Sequence, residues 1–72
     1  MATMKNQIKE LRKEKGLRQE DLAAALGVPR QTIIAIENNK YDPTLELAMR
    51  LSAFFAVSVN DIFTMERDSA RE

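Results

Sequence analysis

An all-α domain of five short helices is the fold class this chain predicts, on three observations. Apolar residues recur at helical spacing in separate stretches, glycines stand where those stretches should end, and Ala, Leu, Ile and Val dominate over two glycines and two prolines. Seventy-two residues make one domain near the lower size limit for unaided folding, and without cysteine or histidine there is no disulfide or zinc site to staple it. The core must be apolar side chains alone, which a 44% hydrophobic fraction can supply.

Met4, Ile8 and Leu11 step by four and three, predicting a first amphipathic helix over about residues 4–15 with a charged outer face. Gly16 stops it, after Lys13 and Lys15 have placed positive charge in the last turn, where the helix dipole favours it. Leu22, Ala23 and Leu26 form the buried face of a second helix over about 19–26, with Ala23 small where a neighbouring helix must come close. Gly27 suits the left-handed position past that helix, Val28 closes the corner, and Pro29 fits near the first position of a third helix over about 29–38. Ile33 and Ile36 face inward from it.

The polar run from Asn38 to Pro43 reads as a loop, and Thr44 as the N-cap of a fourth helix ending near Phe55 or Ala56. Leu47, Ala48, Leu51 and Phe55 point in from that helix, while Glu46 and Arg50 point out. Ser58 caps a last short helix, with Asp61 as its acidic capping-box partner and Val59, Ile62 and Phe63 as its apolar side. Residues 1–65 form the expected domain, and the charged, small-residue stretch 66–72 a flexible tail.

Several function classes are excluded at this stage. With no histidine or cysteine, no Gly-rich phosphate loop and no acidic cluster, the chain offers neither catalytic machinery nor metal ligands, and no cofactor is expected. No apolar run approaches the roughly 18 residues of a membrane span, and Met1 to Lys5 lacks the apolar stretch of a signal peptide, so a soluble cytoplasmic protein is expected. The formal net charge is zero, but it is unevenly spread: residues 1–40 carry eight Lys/Arg against five Asp/Glu, and residues 41–72 three against six. Such a dipolar chain can turn its positive half toward phosphate, and the same asymmetry also fits ordinary solvated helix faces.

Gln19 to Asn38 has the anatomy of a helix-turn-helix: two short helical patterns, one Gly corner, and polar residues opening the second helix. Taken with its flanks, the chain resembles the lambda-repressor-like, Cro/CI-type (XRE) family of regulators over about residues 5–63. The resemblance is carried by Ile8-x-x-Leu11-Arg12-x-x-x-Gly16-Leu17, Gln19-x-x-Leu22-Ala23-x-x-Leu26-Gly27-Val28, Ile33-x-x-Ile36-Glu37-Asn38, and Pro43-x-Leu45-x-Leu47-Ala48 in that order. It implies a five-helix domain binding double-stranded DNA as a homodimer on a palindromic operator, with repression as the expected outcome and no small-molecule ligand. The competing reading is an antitoxin or adaptor using the same fold mainly to bind another protein, which the neutral charge keeps open.

The resemblance also assigns roles. Arg30, Gln31 and Thr32 fall on base-reading positions, with Ala35 one turn on and Ile34 on the outer face as an apolar contact or a plain surface residue. Gln19, Asn38, Lys40 and Tyr41 match phosphate-holding positions. Arg12 and Glu37 resemble a structural ion pair tying the first helix to the end of the third. Independently of the resemblance, a domain this small cannot bury every aromatic of its last two helices, so Phe54, Val59, Ile62 and Phe63 are the expected self-association surface, with completion of the core as their alternative use. Two departures bear on backbone shape: Asn39 and Ala56 stand where the family commonly has glycine.

Overall fold

The computed structural model describes residues 3–66, and among them the five expected helices are joined by a feature that helical periodicity did not predict. Two short strands, β1 (Thr3–Asn6) and β2 (Phe63–Glu66), bring the two ends of the described chain together as an antiparallel ribbon around α1 (Ile8–Glu14), α2 (Gln19–Leu26), α3 (Arg30–Glu37), α4 (Leu45–Phe55) and α5 (Val59–Ile62). The register sets Asn6 opposite Phe63 and Met4 opposite Met65. Helix α1 accordingly begins at Ile8 and not at Met4, correcting the expected start by four residues.

The reason lies in what the segment meets rather than in its own pattern. Residues 3–6 gain a ladder of backbone bonds from β2, and the Gln7 amide extends it by donating to the Ile62 carbonyl at 2.9 Å. Asn6 then makes the switch to helix, its Oδ1 accepting from the Ile8 amide at 3.1 Å. A two-stranded ribbon is marginal alone in water. This one is anchored because Ile62 and Phe63, at its root, are buried with Ile8 and Phe55 in the common core.

That core takes Leu22, Ala23 and Leu26 from α2, Ile33 and Ile36 from α3, and Leu47, Ala48, Leu51 and Phe55 from α4, as their spacing predicts. Leu11 is only half-buried and packs against its edge. Phe54 also packs there, its ring edge-on to Phe55 at 5.1 Å between centroids. The expected tail lies outside the described residues apart from Glu66, whose backbone closes β2.

Helices α1 to α4 end the same way, which explains the placement of four residues. After each, one residue takes positive φ, and the last carbonyls accept a pair of turn bonds from the amides that follow. Gly16 and Gly27 do this at φ 71° and 72°; Asn39 and Ala56 do it at 59°, so the family's glycine corners survive without glycine. At α4 the Val57 amide reaches the Ser52 carbonyl at 3.1 Å, and the Ser52 hydroxyl donates to the Val57 carbonyl. The starts of α4 and α5 are capped as expected, by Thr44 Oγ1 accepting from the Leu47 amide at 3.1 Å and by reciprocal Ser58–Asp61 bonds at 3.1 and 3.2 Å. Pro29 is the N-cap of α3, so that helix starts at Arg30, one residue later than expected.

Ala56 is exposed, and its Cβ is strained at positive φ. Ala56→Gly is therefore expected to stabilise the fold by roughly 0.5–1 kcal/mol, the left-handed cost relieved less the extra entropy of an unfolded glycine. Urea denaturation is the check, with an unchanged slope and a higher midpoint.

Candidate nucleic-acid interface

The arrangement that could meet DNA is built on the corner between α2 and α3. At Gly27 the chain turns left-handed, the Val28 amide donates back to the Ala23 carbonyl at 3.0 Å, and Pro29 enters extended at φ −65° and ψ 150°. Arg30 and Gln31 then open α3 exposed, and Thr32 follows half-buried, its amide bonded to the Pro29 carbonyl at 3.0 Å. Ile33 and Ile36 are buried beneath them, so the opposite face of the same helix is pinned to the core. Ile34 and Ala35 are half-buried on the flank, which makes Ile34 less exposed than an outer-face position implies.

A buried ion pair holds the far end of α3. Arg12 donates from Nε to Glu37 Oε2 at 2.8 Å and from Nη2 to Oε1 at 3.1 Å, with the two side chains 9% and 3% exposed. Its remaining nitrogen, Nη1, donates to the Leu17 carbonyl at 2.9 Å. Glu37 sits at the carbonyl end of α3, where a negative charge is unfavourable by itself, so the guanidinium offsets both that and the desolvation. The planar fork suits the task as an ammonium could not. Among the described residues no buried side-chain nitrogen or oxygen lacks a partner.

Gln19 belongs to this network as well. Its Nε2 donates to Glu37 Oε1 at 3.1 Å, which orients the side chain at the start of α2 and leaves its Oε1 and second amide proton for another partner. Arg18, just ahead, has no acceptor with which to cap α2. The cap comes from the other side: Asp21 Oδ2 accepts from the Arg18 backbone amide at 2.9 Å, which holds its carboxyl below the ordinary range, and the Arg18 guanidinium adds to the lowering.

Beyond α3, Asn38, Lys40 and Tyr41 are all exposed, on a loop whose shape is set by the positive φ of Asn39 and by the Lys40 amide bonded to the Ala35 carbonyl at 2.9 Å. A residue absent from the sequence-based assignment completes the support. Asn6 Nδ2 donates to the Ile36 carbonyl at 2.7 Å and to Asn39 Oδ1 at 3.3 Å, so the strand β1 braces the end of α3 and the loop together. Nothing in helical spacing singles out Asn6; an asparagine just ahead of a helix start is the one available hint. Among the described residues, no ion pair engages Arg30 or Lys40.

Thus α3 and the start of α2 are held by the Arg12–Glu37 network, and the end of α3 and the following loop by Asn6. The helix-turn-helix family model matches residues 8–62, spanning α1 through α5. This chain belongs to the helix-turn-helix family of Cro/CI-like transcriptional regulators. The regulator is 57% identical over 65 residues to an uncharacterized HTH-type transcriptional regulator of Methanocaldococcus jannaschii, covering 90% of this chain and 98% of that one. It is 42% identical to the uncharacterized HTH-type regulator YgzD of Bacillus subtilis, covering 92% and 100%. A crystal structure of a putative DNA-binding protein from Bacteroides fragilis superposes with a TM-score of 0.76 at 26% identity, covering 86% of this chain and all of that one. The family is regulatory and not enzymatic, and no helix among the described residues is long and apolar enough to cross a membrane.

Of the four expected self-association residues, two take the alternative use and complete the core. Ile62 is fully buried and Phe63 is 9% exposed within the chain, so both are spent on the core, and Phe54 and Val59 are half-buried against it. Among the described residues, the large apolar side chains that are exposed rather than half-buried are Tyr41, Leu45, Met49 and Met65. Leu45 and Met49 are out of phase with Leu47, Leu51 and Phe55 on α4, a signal present in the sequence.

Glu37→Ala is expected to destabilise the regulator by about 3–5 kcal/mol, because it strands the buried Arg12 charge. Adding Arg12→Met to Glu37→Leu should recover a large part of that loss. Urea denaturation of the single and double variants is the check.

Proposed function

We propose that the regulator binds an operator in double-stranded DNA as a homodimer, laying the start of α3 in the major groove of each half-site. The observation that carries this is the exposed start of α3, with Arg30 and Gln31 free of core duties while the helix beneath them is locked from behind by the Arg12–Glu37 pair. Arg30 has the fork to take guanine O6 and N7, and Gln31 the amide to take adenine N6 and N7. Thr32, Ile34 and Ala35 supply apolar contact of the kind a thymine methyl accepts. Gln19, Asn38, Lys40 and Tyr41 hold phosphates on either side and set the register.

A two-fold dimer reads a palindrome when its recognition helices enter successive major grooves about 34 Å apart. Repression follows as the simplest outcome of occupying an operator, and a cytoplasmic site of action follows from the DNA target. It is supported by the likeness, 33% over 57 residues, to the cryptic phage CTXphi transcriptional repressor RstR of Vibrio cholerae, of whose length the aligned segment spans 51%.

Selection of bound sites from random DNA should enrich a palindrome. On that operator, Arg30→Ala is expected to relax the preference at one base pair per half-site at a cost of about 1–3 kcal/mol, whereas Lys40→Ala weakens all sequences alike and flattens the salt slope by about one. Quantitative binding at several salt concentrations separates the two effects. Enrichment of no site would turn the assignment toward a protein partner.

A further inference from the structure

Among the described residues, one apolar surface of the regulator is left uncovered. Leu45, Met49 and Ala53 follow one another at steps of four along α4 and so form a single stripe. Leu45 is 74% and Met49 59% exposed, and Ala53 is exposed as well. Alongside runs a charged row, Glu46 and Arg50, paired at 2.8 Å, with Arg50 also donating to the Leu26 carbonyl at 3.3 Å. This row faces the cleft between α3 and α4, whose walls include Thr32 and Tyr41. The stripe therefore borders the proposed reading surface.

We infer that this face of α4 docks against the same face of a second copy, with the two helices antiparallel across a two-fold axis near Met49. The inference rests on the homodimeric reading above and names its surface. Two features make the face complementary to itself. First, a two-fold axis at Met49 sets the large Leu45 of one copy opposite the small Ala53 of the other, with the flexible methionines meeting between them. Second, helices packed antiparallel bring their like-sided flanks together, so Glu46 of each copy comes beside Arg50 of the other, opposite charges at both ends of the contact. An apolar or acidic partner protein would use only part of this pattern. Because the contact adjoins the α3–α4 cleft, it couples the two recognition helices through one rigid element instead of through a tail.

Sedimentation equilibrium of the full chain, with circular dichroism melting as the control for folding, tests the inference. Wild type is expected to be dimeric, and Met49→Lys, at an exposed position, to melt normally while its dimer dissociation constant rises by about a hundredfold or more, since like charges then meet on the axis. Glu46→Lys and Arg50→Glu should each weaken the homodimer by roughly tenfold, and mixing the two should restore association, because only the mixed pair regains opposite charges at both ends. Wild type dimeric with Met49→Lys equally dimeric would overturn the α4 surface while leaving the homodimer intact. Folded charge variants that fail to associate on mixing would overturn the antiparallel register. A wild type that is monomeric both free and on its selected operator would instead remove the homodimeric reading itself, and this surface with it.

Discussion

The buried pairing of Arg12 with Glu37 is the constraint on which the working part of the molecule depends. It joins α1, the turn at Leu17, the start of α2 through Gln19, and the end of α3. Apolar contacts at Ile33 and Ile36 hold α3 down on the core but do not by themselves choose its rotation or tilt, since such packing is non-directional. A two-bond fork between a guanidinium and a carboxylate does choose, because it works at one distance and in one plane. The stability it adds over an apolar substitute is modest, so its value to the molecule lies in geometry.

A second layer of support converges on the same helix from the chain ends. The ribbon of β1 and β2 carries Asn6 to the Ile36 carbonyl near the end of α3 and to Asn39, so a residue remote in sequence braces the end of α3 and the departure of the loop. The left-handed turns at Gly27 and Asn39 then bracket α3, one setting its entry and the other its exit. Exposure follows from this bracketing. Arg30 and Gln31 stand clear at the front and Lys40 and Tyr41 at the back, while the helix between them is fixed on its inner side.

Much of this is legible in the sequence. Helices α2 to α5 were readable within a residue or so, because each carries an apolar stripe at 3.6 spacing and a stop or cap made by local chemistry. Gly27, Thr44 and the Ser58–Asp61 box act through bonds to their own near neighbours. The start of α1 is not legible because Met4, Ile8 and Leu11 fit helical spacing, while the strand that residues 3–6 form exists only through its partner about sixty residues away. The Arg12–Glu37 pair was legible by resemblance; its link to Gln19 and to Leu17 was not.

The apolar residues near the C-terminus show the same division. Their composition said that something must be covered, without saying by what: Ile62 and Phe63 are covered by the chain's own core, and Leu45 and Met49 are left outside. By itself the sequence determined the helices, their ends apart from the start of α1, and the chemical character of the α3 start, since these depend on contacts within a few residues. Only the tertiary structure decided the strand pairing, the bracing of α3 by Asn6, and which of the described apolar side chains stay exposed. Those depend on surfaces brought together across the whole chain, and no local spacing records which of several apolar residues will meet.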